Sequence, residues 1–135
     1  MMRFLFFYLL AGLCLAPSLW AADLRVEVTG QDEHGDIYLH VYASAQAMQQ
    51  QRGDVASVIL PVSGGVQHLT LHGLPAGSYA VAAFQDRNGN GRLDNNLFGM
   101  PSEPYGLSRD QRRAVFADTA ITLGTETQTV TIHLR

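Results

Sequence analysis

Residues 23–42, DLRVEVTGQDEHGDIYLHVY, decide the fold class. Leu24, Val26 and Val28 alternate with Arg25, Glu27 and Thr29, and Ile37, Leu39 and Val41 alternate with Tyr38, His40 and Tyr42. Successive side chains of a strand point to opposite faces, so an apolar set with a period of two marks each run as a half-buried strand. Gly30 to Gly35 between them (GQDEHG) is turn chemistry, and the two runs are expected to form a hairpin.

The same pattern continues along the chain. Ser57 to Val62 is β-branched and apolar, and Val66, Leu69 and Leu71 lie in a further alternating run. Tyr79 to Phe84 (YAVAAF) is apolar on both faces, which predicts a central strand. Ala120 to Leu123 and Thr127 to Leu134 follow, joined by Gly124-Thr125-Glu126. Only Ala45 to Arg52 (AQAMQQQR) is good helix-forming sequence, with Ala45 and Met48 expected against a sheet edge. Helices do not alternate with strands as a parallel α/β sheet requires. The expected fold is therefore all-β: an antiparallel β-sandwich of about seven strands, immunoglobulin-like or transthyretin-like, with one short helix and one long ordered loop.

The first 22 residues read as an address. Met1-Met2-Arg3 is a short positive start, Phe4 to Leu15 carries no charge, Pro17 breaks the run, and Ala21-Ala22 are small residues suited to cleavage. This is the layout of a secretory signal peptide. A membrane-spanning helix needs about 20 apolar residues, more than the run supplies. Cys14 follows Leu13, where a lipid-anchor signal wants a small residue. The expected organisation is residues 1–22 signal peptide, cleaved after Ala21 or Ala22, and 23–135 one domain without a membrane anchor. Removing residues 1–22 takes away Arg3 and Cys14, leaving eight Arg against twelve acids, no cysteine and no Lys. The mature domain thus has a formal charge of −4, no disulfide and no thiol nucleophile. An acidic chain without Lys argues against nucleic acid as a partner.

The exception to short connections is Asp86 to Arg113, 28 residues, where structureless loops above about 12–15 residues are uncommon. Phe98, Met100, Tyr105 and Leu107 are its expected anchors. It opens DRNGNGRLD, with oxygen-bearing side chains at Asp86, Asn88 and Asn90 and a turn-permitting Gly91 at the sixth place. Hard Ca²⁺ takes 6–8 oxygens, and this spacing wraps three side chains round one point. The Arg92 carbonyl and Asp94 would follow at the seventh and ninth places, and Leu93 would pin the loop to the core. The twelfth place, a bidentate Glu in an EF-hand loop, is Leu97 here, so a further acid such as Glu103 is required. The alternative is that the Asn-Gly pairs only supply turn geometry. Two prolines stiffen Gly99 to Gly106 (GMPSEPYG), which would present Glu103 and Tyr105 as a binding surface, or cover an open end of the sandwich with Tyr105 as its plug.

At this point the residues carry a resemblance. Leu74 to Ser108, LPAGSYAVAAFQDRNGNGRLDNNLFGMPSEPYGLS, combines D-x-N-x-N-G-x-L-D with G-x-P-x-E-P-Y-G. It resembles the signature of small exported bacterial proteins grouped as domain of unknown function 2141. Gln85 stands where that family often has His, and Ser108-Arg109-Asp110 where it often has Ser-Asn-Asn. The resemblance implies an exported β-sandwich and no established activity. Gly73 to Tyr79 is also similar to a turn-and-strand element of transthyretin-like and carboxypeptidase-regulatory-like sandwiches.

Other patterns weigh less. His68 and His72 stand roughly 13 Å apart along a strand, too far to share one ion. His40 and His133 lie on outward faces that neighbouring strands could bring together. Tyr38, His40 and Tyr42 form an outward aromatic stripe suited to cross-strand pairing or to stacking on a ligand. The expected function is an exported, non-enzymatic module, periplasmic or secreted. It would bind a small ligand or a protein partner in the cell envelope through residues 86–113, with calcium as its ion. The alternatives are a small hydrolase or carbohydrate-active enzyme using Asp94 and Glu103, and a structural component of an envelope complex.

Overall fold

The computed structural model describes residues 20–32, 34–62, 64–98 and 100–135. The expected signal segment lies outside them, apart from Trp20, Ala21 and Ala22. Eight strands form two layers. The smaller sheet has the order β4-β1-β8, built from β1 (Ala21–Thr29), β4 (Gln67–Pro75) and β8 (Gln128–His133). The larger runs β3-β2-β5-β6, from β2 (Asp36–Tyr42), β3 (Ala56–Leu60), β5 (Gly77–Asp86) and β6 (Tyr105–Leu107). β7 (Ile121–Leu123) pairs with the first residues of β5, and β6 with later ones. The all-β sandwich read from the sequence is the fold observed.

Its connectivity differs from the expected one. β1 and β2 do not form a hairpin. β1 pairs antiparallel with β4 and parallel with β8, so both its edges are taken, and the loop after Thr29 carries the chain into the other sheet. The reason is face-to-face burial. Leu24, Val26 and Val28 of one layer and Ile37, Leu39 and Val41 of the other are all fully buried in one core cluster. Alternation fixes which face of a strand is buried, not which strand lies beside it. β7 and β8 separate in the same way, one to each sheet. β1 also starts at Ala21, ahead of the expected Leu24, because Pro75 and Leu74 of β4 supply partners for Ala21 and Ala22. The expected domain start at Asp23 therefore falls inside a strand.

β5 is central, as its sequence implies. Tyr79, Val81 and Ala83 face the other sheet. Ala80 lies on the outer face with Tyr42, Met48 and Leu107, under α1 (Ala45–Gln50) and α2 (Phe116–Thr119). The Ser44 hydroxyl caps α1 by accepting from Ala47 N–H at 3.1 Å. Met48 is buried, but Ala45 is exposed, and Ala47 takes the packing position expected of it. The turn before β5 is held by the Tyr79 hydroxyl, which donates to the Pro75 carbonyl.

β6 and the single turn Ser108–Asp110 after it emerge from within the long loop. Gly106 is needed here: a Cβ would stand 2.4 Å from the His133 carbonyl oxygen. Arg109 and Asp110 adopt left-handed backbone (φ 59° and 51°), where Asn is more at home than either residue. A two-oxygen pairing of Asp110 with Arg135 (2.7 and 2.9 Å) holds this turn. The buried Ser108 hydroxyl accepts from Val81 N–H and donates to the Thr119 carbonyl, tying β5 to α2.

The Thr119 hydroxyl, buried in the same place, has no partner among the described residues. An unsatisfied buried hydroxyl costs stability, while Val matches Thr in shape. Thr119→Val keeps the carbonyl that Ser108 uses and is expected to stabilise the fold by about 1 kcal/mol, raising Tm by several °C. A lower Tm in thermal unfolding would contradict this.

Candidate functional site

The end of β5 delivers consecutive side chains to different tasks. Phe84 lies on the outer face of the larger sheet. Its ring stacks on Tyr38 (centroids 5.2 Å apart) and on His40 (6.3 Å), and His40 stacks on Tyr42. The outward stripe of β2 is thus a cross-strand aromatic ladder. Gln85 is fully buried between the layers. Its amide donates to the carbonyls of Asp32 and Gly35 and accepts from Asp32 N–H at 3.0 Å, so all its polar capacity goes to the β1–β2 connection. Gly35 has left-handed backbone there, and a Cβ on it would strike the Asp86 carbonyl oxygen.

Asp86 is buried (3% exposed) and organises the loop that follows. One carboxylate oxygen accepts from Gly89 N–H (3.1 Å), the other from Gly91 N–H (2.7 Å). Asn88 and Asn90 each accept from the backbone N–H two residues on, and the second of these bonds is made by Arg92 N–H. The amide nitrogens of both donate to the Asp94 carboxylate, Asn90 to both oxygens at 2.8 Å. These bonds, that of Asn90 foremost, hold the Asp94 carboxyl below the ordinary Asp range. Glu103 is buried (7% exposed) and closes the loop from the far side: one oxygen accepts from Arg87 N–H (3.0 Å), the other from Asp94 N–H (3.2 Å).

Asp86, Asn88, Asn90, Asp94 and Glu103 therefore belong to one hydrogen-bonded unit, although Glu103 is nine residues beyond Asp94. Arg92 is exposed, and its N–H is the donor to Asn90. Among the described residues no three His, Cys, Asp or Glu side chains converge closely enough to hold a metal ion. A cation here would depend on the oxygens of Asn88 and Asn90 as well as the acids. Those oxygens suit a hard ion, but their amide nitrogens now face Asp94.

Two expected anchors of the loop do not anchor it. Phe98 is 89% exposed and Met100 63%. Asn96 folds the tip on itself by accepting from Phe98 N–H and Met100 N–H, which turns both side chains to solvent. Tyr105 and Leu107 do hold it. The Tyr105 hydroxyl donates to the Arg112 carbonyl at 2.9 Å, and the Arg112 guanidinium lies over the Tyr105 ring at 5.5 Å. The histidines are dispersed: His40 bonds Asp54, His68 faces Glu27, His72 bonds Asp23 and His133 bonds Thr29.

Between α1 and the loop lies a groove of about 650 Å³. Its floor is the outer face of β2, β5 and β6, including His40, Tyr42, Ala82, Phe84 and Tyr105. Gln50, Gln51 and Arg52 form one wall, and Gly91, Arg92 and Leu93 belong to the other. Leu93, expected to pin the loop to the core, is half-buried against this groove. Sequence reasoning missed the groove. The aromatic stripe and the loop were visible separately, but only the β2–β5–β6 register sets them side by side.

Fold and site together define a β-sandwich protein with a loop-walled groove on its larger sheet. The chain belongs to the family described as uncharacterized protein conserved in bacteria (DUF2141), whose model matches residues 26–131. No curated protein and no solved structure matches it.

Among the described residues four carboxylates lie below their ordinary range: Asp23 through Gly73 N–H and His72, Asp32 through His34 N–H and Arg87, Asp54 through His40, and Asp94 through Asn90 and Asn88. A group whose folded value is lowered adds stability above its unfolded value, near 3.9, and loses it as pH falls through the folded value. Melting temperature is therefore expected to fall as pH drops below about 4. Thermal unfolding followed from pH 6 to strong acid checks this, and a Tm unchanged in strong acid would contradict it.

Proposed function

We propose that this chain is an exported, non-enzymatic binding module that takes a ligand in the groove beside residues 86–113. The observation that carries the reading is the groove itself. Its volume of about 650 Å³ is in the range of small-molecule sites, its floor is aromatic and apolar, and polar groups stand at its walls. A hydrogen-bonded wall gives such a site its shape before the ligand arrives, which lowers the ordering cost of binding. The hydrolase alternative asks Asp94 and Glu103 to exchange protons with a substrate. Glu103 is instead buried with both oxygens on backbone N–H groups, an arrangement that suits a structural clamp. Export rests on the first 22 residues and places the module in the periplasm or outside the cell.

Filling the groove tests the reading. Ala82 is half-buried on its floor, and Ala82→Phe is expected to leave the fold intact and abolish small-ligand binding. Fragment screening by amide NMR measures this. Hits that persist in Ala82→Phe, or that cluster elsewhere, would sink the proposal.

Calcium belongs to the same proposal, as a clamp on Asp86, Asn88, Asn90 and Asp94 with the Arg92 carbonyl. With only two acids among these ligands the affinity should be weak, about 10⁻⁴–10⁻³ M. Calcium at about ten times that value should add roughly 1.4 kcal/mol and raise Tm by several °C. Asp86→Ala is expected to remove the rise. A Tm indifferent to millimolar calcium would remove the ion from the proposal and leave a loop closed by its own hydrogen bonds.

A further inference from the structure

The groove carries a charge opposite to that of the chain. Three of the nine arginines line it: Arg52 after α1, Arg92 on the loop and Arg112 beyond β6. Among the described residues no Asp or Glu lines it, in a chain with twelve acids and a formal charge of −3. The arginine ion pairs among the described residues are made by Arg87 and Arg135, not by these three. Two acids stand near the groove without lining it: Asp54, held by His40, and Asp94, held by Asn88 and Asn90 and near enough to Arg92 to offset part of its charge.

The three arginines therefore line a space that also offers aromatic surface. Arg112 is fixed over the Tyr105 ring, and Phe84 lies in the floor within its stack of rings. Planar guanidinium groups recognise carboxylate and related oxyanions through paired N–H donors, and a lining poor in counter-charge leaves that capacity for a ligand. Aromatic side chains favour a flat ring beside them.

Resting on the reading of the groove as the binding site, the geometry points to its ligand class: a small organic anion with a planar ring. The ring lies on the Phe84 and Tyr105 side, and the acidic group lies among Arg52, Arg92 and Arg112. A neutral ring would leave Arg52 and Arg112 without a counter-charge. A bare anion would leave the apolar floor wet.

The probe is 2-naphthoate, titrated into ¹⁵N-labelled protein beside 2-naphthamide (the ring without charge) and acetate and inorganic phosphate (charge without the ring). The expected result is movement of the Ala82, Phe84 and Tyr105 amides by 2-naphthoate, with affinity at least 10-fold above each of the others. Arg52→Gln should weaken it about 10-fold at unchanged Tm, and Arg112→Gln, which also gives up its place over the Tyr105 ring, about 10-fold with the amide spectrum of the fold retained. Equal binding of 2-naphthamide, or indifference to both arginine variants, overturns the anion inference while the groove remains a binding site. Acetate or phosphate binding as tightly as 2-naphthoate overturns the ring. If none of the four moves these amides but other fragments bind there, only the ligand class falls. If nothing binds there, the proposed function falls with it.

Discussion

The structure depends on how polar atoms are satisfied at one end of the sandwich. Gln85, Asp86 and Glu103 carry an amide and two carboxylates into buried positions, where an unmet polar group costs stability. Each is met by backbone. Gln85 takes the loop between β1 and β2, Asp86 the turn at Gly89 and Gly91, and Glu103 the N–H groups of Arg87 and Asp94. Three side chains thus order the six-residue connection between β1 and β2 and the first part of the long loop. The loop wall of the groove is a consequence of this arrangement.

β5 links that end to the core. One face of it packs into the main cluster, and the other lies under two short helices. The helices cover only part of the outer face. The uncovered part, from His40 and Phe84 to Tyr105, is the groove floor. The molecule has one sheet face completed by a second sheet and another completed incompletely, and the proposed ligand site is that incompleteness.

The sequence was legible where pattern and local chemistry coincide. Period-two runs marked four strands because burial on one face leaves a direct trace in residue order, and the short apolar runs Ser57–Val62 and Ala120–Leu123 marked two more. The two-faced apolar run Tyr79–Phe84 marked the central strand for the same reason. β6 was not legible, since three residues are too few for a period to show. The DRNGNGRLD turn announced a folded loop, and Glu103 was marked as an acid for that loop, as a binding-surface residue with Tyr105 and as a hydrolase acid with Asp94, whereas its partners are backbone N–H groups, which have no sequence signature. Phe98 and Met100 misled because hydrophobicity alone does not say whether a turn points inward.

By itself, the sequence determined the all-β class, the buried faces of β1, β2, β4 and β8 and the position of the long folded loop, because these follow from local alternation and turn chemistry. The tertiary structure alone decided which strand lies beside which. It sent residues 24–28 and 37–41 to different sheets, made the β1–β8 pair parallel, and set the β2 stripe next to Tyr105 and the arginines. The physical reason is that a strand's two faces are specified by its own residues, whereas its two edges are backbone and accept any strand whose buried face fits the same core.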